Sequence, residues 1–140
     1  MDYRRFDGKI VARIDKGEEI LEKISEIVHK EKIHTASISG LGATDDFSVG
    51  VYDVEKKVFH ANRFRGSFEI VSLCGTVSTM NGSSYLHLHM SAANEKGEVF
   101  GGHLKSAAVS ATCEIVLDII NGIAERQYDE ETGLNLFRFV

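Results

Sequence analysis

Three of the chain's six histidines fall in two neighbouring segments, Tyr85-Leu86-His87-Leu88-His89-Met90 and Phe100-Gly101-Gly102-His103-Leu104. Neutral imidazole suits a borderline divalent metal, and three imidazoles plus an open position form a recurrent zinc arrangement with Zn–N distances of about 2.0–2.1 Å. Ligand type and tetrahedral habit favour zinc, although nickel, cobalt and iron accept the same donors. The fourth position would hold water or a carboxylate. His29, His34 and His60 have no such neighbours in sequence and read as solvated or singly bonded side chains.

The three can meet only if they share a face. In a strand, alternate residues do, so His87 and His89 project together while Leu86, Leu88 and Met90 face the core. Asn94-Glu95-Lys96-Gly97 is rich in turn formers and predicts a hairpin between the two segments. A three-residue loop, Glu95 to Gly97, pairs Asn94 with Glu98 and sets His89 opposite His103. A four-residue loop turns His103 to the wrong face, unless a bulge at Gly101-Gly102 corrects the count.

Two carboxylates interrupt apolar strand-like runs, Glu69 after Phe68 and Glu114 after Cys113. A buried unpaired carboxylate is costly, so each is expected to have a partner or an altered pKa. Glu69 is the candidate general base beside the metal, or an orienter of a histidine. The competing expectation pairs both with arginines such as Arg63 or Arg65. Asp45, Asp46 and Asp53 read as solvated. Cys74 and Cys113 lie in apolar runs and read as small buried hydrophobes, with no CxxC spacing or disulfide framework. No serine sits in a nucleophile-elbow context. Gly40-Leu41-Gly42 reads as a strand-end turn, since no long helix follows it to bind phosphate.

These residues need a scaffold, and its signals are mostly those of strands. Ile20, Leu21, Ile24, Ile27 and Val28 recur at helical spacing and predict one helix over 17–31, opened by Gly17-Glu18-Glu19. Strands are expected around 10–14, 35–41, 47–54, 57–64, 68–79, 85–92, 99–104 and 107–120. Hairpins are expected at Glu55-Lys56 and, in the tail, at Asp129–Gly133. One helix near the N-terminus and a largely antiparallel sheet predict an α+β (mixed α/β) fold in a single domain, 1–140. One helix cannot cover both faces of such a sheet, and symmetric association is the usual remedy.

Composition agrees with a globular chain: of 140 residues, 43% are hydrophobic and 26% charged. No apolar run reaches the roughly 18 residues that span a bilayer, and no apolar segment follows the basic N-terminus as in a signal peptide, so a cytoplasmic location is expected. The net charge of −5 argues against a chain built to neutralise phosphates.

Several segments resemble the plants-and-prokaryotes conserved (PPC) domain. They are Gly17-Glu18-Glu19, Ser39-Gly40-Leu41-Gly42-Ala43, Tyr52-Asp53, Gly66-Ser67-Phe68-Glu69-Ile70-Val71-Ser72-Leu73-Cys74-Gly75, His87-Leu88-His89 and Gly97-Glu98-Val99-Phe100-Gly101-Gly102-His103-Leu104. The resemblance implies a mixed α/β homotrimer in which His87, His89 and His103 are the metal ligands. Plant members join the domain to AT-hook segments that bind DNA. An AT-hook needs proline, and this chain has none. Three functions are therefore in view: a metal-containing binding and assembly module for a small ligand, a metal-dependent enzyme using activated water, and a DNA-associated regulator. The first is the expectation.

Overall fold

In Lys9-Ile10-Val11-Ala12-Arg13-Ile14, every second residue, Ile10, Ala12 and Ile14, is apolar and buried, while Lys9, Val11 and Arg13 are exposed. The same alternation organises most of the computed structural model, which describes residues 1–139. Its elements are β1 (Asp2–Phe6), β2 (Lys9–Asp15), α1 (Ile20–Lys30), β3 (Ala36–Asp53), β4 (Val58–Met80), β5 (Ser83–Ala93), β6 (Val99–Ile119), β7 (Glu125–Asp129) and β8 (Leu134–Arg138).

All eight strands join one sheet in the order β1-β2-β6-β3-β4-β7-β8, with β5 bonded to both β4 and β6. Strands β3, β4, β5 and β6 therefore close a ring: each bonds two of the others, always antiparallel. Phe47 is fully buried inside it, stacked on Phe64 and edge-on to Phe68, while Phe100 stacks on Phe64. Such offset and edge-to-face contacts are the favoured aromatic geometries.

The helix lays Ile20, Ile24, Ile27 and Val28 onto this core. It starts where Glu19, in extended conformation, caps the Glu22 N–H at 2.8 Å. The other oxygen of Glu19 accepts from the Ala107 N–H of β6 at 2.9 Å, so one carboxylate both caps the helix and anchors it to the sheet.

The expected balance of helix and sheet does not hold. Strands make up 69% of the chain and helix 8%, so the fold is mostly β and the α+β class is corrected. Runs expected as separate strands are continuous: 35–41 and 47–54 merge into β3, 57–64 and 68–79 into β4, and 99–104 and 107–120 into β6. The Gly40-Leu41-Gly42 turn is a register shift within β3, with a second between Thr44 and Asp46. A bulge absorbs an extra residue and steepens the twist without ending the pairing, so glycine there marks a bend in a strand. β1 gave no alternating signal because nearly all its side chains are exposed. The hairpins at 54–57 and 130–133 form as expected. Among the described residues, no helix is long and apolar enough to cross a membrane.

Candidate metal centre

The loop between β5 and β6 is the three-residue one. Asn94 donates its N–H to the Glu98 carbonyl at 3.0 Å, and Gly97 donates to the Asn94 carbonyl at 2.9 Å. The Asn94 side-chain oxygen accepts from the N–H groups of Lys96 and Glu98, both at 3.0 Å. His89 consequently pairs with His103, with no register shift at Gly101-Gly102 on this side. Leu88 and Met90 are buried, which turns His87 and His89 to the opposite face. Across its other edge His103 pairs with Gly50 of β3, so it stands where β6 passes from one neighbour to the other.

The rings form a triangle, with centroids 5.2 Å apart for His87–His89, 5.2 Å for His87–His103 and 5.6 Å for His89–His103. One ligand nitrogen from each lies within 4.8 Å of the others. Tetrahedral zinc places its nitrogen donors about 3.4 Å apart. No carboxylate or thiol joins the group among the described residues. The donor set fits a divalent ion held by three neutral nitrogens with a position left open.

Burial favours the neutral, ligand form of His87 and His103. Burial pushes His87 down to about 4, helped by the nearby charges of His103, Arg126 and His89. Burial, then His89, also lowers His103. Neutral imidazole needs no proton displaced when it binds a cation.

The trio opens into a cleft of about 660 Å³, walled by Phe59, Tyr85, Arg126 and Leu136. Phe59 meets His103 edge-on at 5.6 Å between centroids. The backbones of Gly50 and Gly102 touch at its floor: a Cβ on Gly102 would lie 2.5 Å from the Gly50 carbonyl oxygen. A broader recess of about 990 Å³ runs along the outside of α1 by Glu22 and His29, but it gathers no metal-binding group.

The sequence profile of the Plants and Prokaryotes Conserved (PCC) domain matches residues 1–121. The chain belongs to this family. Its PCC fold is shared with the metal-containing protein of Archaeoglobus fulgidus, at 35% identity over 99% of this chain and 97% of that one, with a TM-score of 0.87. A plant- and prokaryote-conserved (PPC) protein of Pyrococcus horikoshii matches at 33% identity over 99% and 94%, with a TM-score of 0.86. A suspected DNA-binding protein of Bacteroides thetaiotaomicron superposes with a TM-score of 0.96, at 28% identity over 99% and 96%. No curated protein matches the chain.

Within this PCC chain the other expected site residues part company with the trio. Glu69 is exposed, pairs with Ala43 and Ala93, and does not line the cleft. Glu114 is exposed opposite Arg13. Both sit on the outward side of the alternation, so they need no buried partner. Arg63 and Arg65 pair with Asp46, which they hold below the usual carboxylate range, Arg63 foremost; Asp46 is thus engaged where solvation was expected. Cys113 is buried and its thiol is pushed up to about 12 by burial, but Cys74 is exposed, contrary to expectation. His29, His34 and His60 are exposed.

Arg126 is the site residue that sequence reasoning missed. It lies in a short polar strand whose composition carries no sign of burial, yet only 6% of its surface is exposed. Its guanidinium lies over the rings of Tyr85 and Phe137. β8, folding over β7, supplies Phe137 to that environment, and Tyr85 comes from β5.

Proposed function

We propose that His87, His89 and His103 together hold one divalent transition metal, zinc by ligand type, and that the chain acts as a homotrimeric PCC module, one domain over 1–140, binding a small ligand at the ion. The observation that carries this reading is the convergence of three ligand nitrogens within 4.8 Å. The metal-containing name of the Archaeoglobus fulgidus relative supports it. The ion would supply a Lewis acid at its open position, and the three imidazoles would orient it toward the cleft.

Self-association is supported by apolar side chains on the face that α1 leaves uncovered. Val11, Leu41 and Val71 are each roughly half exposed, at 46%, 56% and 54%. Burying such a face against copies of the same chain is the usual outcome for a half-covered sheet. Glu69 is not assigned a part in the chemistry. The DNA-binding role of the Bacteroides thetaiotaomicron relative is not favoured, since the net charge is −5 and Asp46 engages both Arg63 and Arg65.

Metal analysis of protein purified without an affinity tag tests this reading, alongside sedimentation equilibrium. The expected result is about one zinc per chain, lost in a folded His87→Ala variant, and a mass three times the 15.5 kDa chain. A chain that takes up no zinc after reconstitution would overturn the metal reading.

A further inference from the structure

A buried guanidinium without a counter-ion stands in the wall of the cleft. Arg126 donates through Nε to the Ser78 hydroxyl at 2.8 Å, through Nη1 to the Asn135 carbonyl at 2.7 Å and through Nη2 to the Thr76 hydroxyl at 3.4 Å. All three acceptors are neutral. Among the described residues no carboxylate forms a salt bridge with it, whereas Arg5, Arg13, Arg63 and Arg65, all more exposed, each have one. A guanidinium carries five N–H donors in a planar fork, so about two remain for something else. Burying an unpaired charge is costly, and a site that keeps one is complementary to an anion that arrives from outside.

The rest of the wall limits what that anion can be. Val51, Phe59 and Leu136 present apolar surface to the cleft. No lysine lines it, so beyond the proposed ion a dianionic phosphate would find Arg126 as its one cationic side chain, where such groups usually meet several donors. About 660 Å³ is room for a small organic molecule.

We infer that the cleft takes a small organic monocarboxylate, its carboxylate gripped by the fork of Arg126 beside the three imidazoles and its apolar body against Val51, Phe59 and Leu136. The inference rests on the proposed metal reading for what lies beside the carboxylate, and adds the chemical class of ligand to it. Arg126 is a binding residue here, and no bond is made or broken.

The test uses the zinc-reconstituted full chain with benzoate, its neutral isostere benzamide, and inorganic phosphate, by calorimetry and by following the Arg126 Nε–H resonance. Benzoate is expected to bind and to shift that resonance along the same saturation curve, with benzamide weaker by about tenfold or more. Arg126→Gln is expected to weaken benzoate by a similar factor while zinc per chain is unchanged. Should that variant fail to fold, having lost its bonds to Ser78 and Asn135, the wild-type resonance still decides. Equal binding of benzoate and benzamide, or an Arg126 signal that does not move, would overturn the inference while zinc stays bound. Phosphate outcompeting benzoate would overturn the carboxylate assignment. A chain without zinc in which benzoate still moves the Arg126 signal would support the anion grip and remove only the metal reading.

Discussion

His89 and His103 are a cross-strand pair with ring centroids 5.6 Å apart, and each is held in register by a third strand as well as by the other. β5 runs against β4 from Glu69↔Ala93 to Met80↔Ser83, and β6 runs against β3 from Gly50↔His103 to Ala36↔Ile119. The loop joins two strands whose positions the ring already fixes. Inserting one glycine between Glu95 and Lys96 should therefore leave zinc stoichiometry unchanged. The cost should be only a fraction of a kcal/mol of loop entropy plus the weakened Asn94 bonds, about 1–2 kcal/mol in all. Metal analysis and a melting curve on the insertion variant check this; loss of zinc from a folded variant would mean that the loop sets the register.

Two glycines beside the histidine strands leave no space for a methyl group. A Cβ at position 102 would meet the Gly50 oxygen at 2.5 Å, and one at position 75 would meet the His87 carbonyl oxygen at 2.1 Å. Both obstacles are backbone and cannot swing aside. Gly102→Ala and Gly75→Ala are each expected to destabilise the chain by about 1–3 kcal/mol or more, through backbone displacement. Gly97→Ala provides the contrast, because its Cβ meets nothing within 4 Å and only its φ of 78° resists substitution. Denaturant midpoints for the three variants should separate accordingly.

Glu19 serves two partners, so its loss should exceed that of an ordinary cap. Glu19→Ala removes the acceptor for the Glu22 N–H and leaves the Ala107 N–H, part-buried, without its partner. A loss of about 1–3 kcal/mol is expected, with Glu19→Gln retaining most of the stability because the amide oxygen can still accept. Urea unfolding of both variants, monitored by circular dichroism, checks it. Equal losses would show that the charge matters more than the acceptor.

Acid should weaken the metal-free chain in a definite window. His87 has a folded pKa of about 4, pushed down first by burial, against an ordinary value of 6.5. Between these values the unfolded chain binds more protons, so stability rises with pH there. The contribution is fully present above about 6.5 and is lost as pH falls toward 4. The melting temperature of metal-free protein should drop through that range, and His87→Gln should flatten the slope. An unchanged slope in the variant would mean that another group is responsible.

The sequence alone set His87 and His89 on one face and put His103 across a turn from them, while the pairing of β5 with β4 and of β6 with β3 decided the register that brings His103 beside them. Alternation in a strand is a local property, so Leu86, Leu88 and Met90 had to turn His87 and His89 together, and Asn94–Gly97 carried its own turn chemistry. The helix face of Ile20, Ile24, Ile27 and Val28 was legible for the same reason. What tertiary structure decided lies wherever one strand's meaning depends on another. Gly40, Gly42 and Gly66 interrupt the local pattern, as Lys105-Ser106 does in β6, but only the paired neighbouring strands show that the chain continues through each, which makes the fold mostly β. Cys74 and Glu69 are exposed because of which face of β4 is left uncovered, a fact outside their own segment. Arg126 is the sharpest case: an arginine among polar residues reads as solvated, and its burial beside Tyr85 and Phe137 exists only once β8 folds back over β7 and the pair docks on β4.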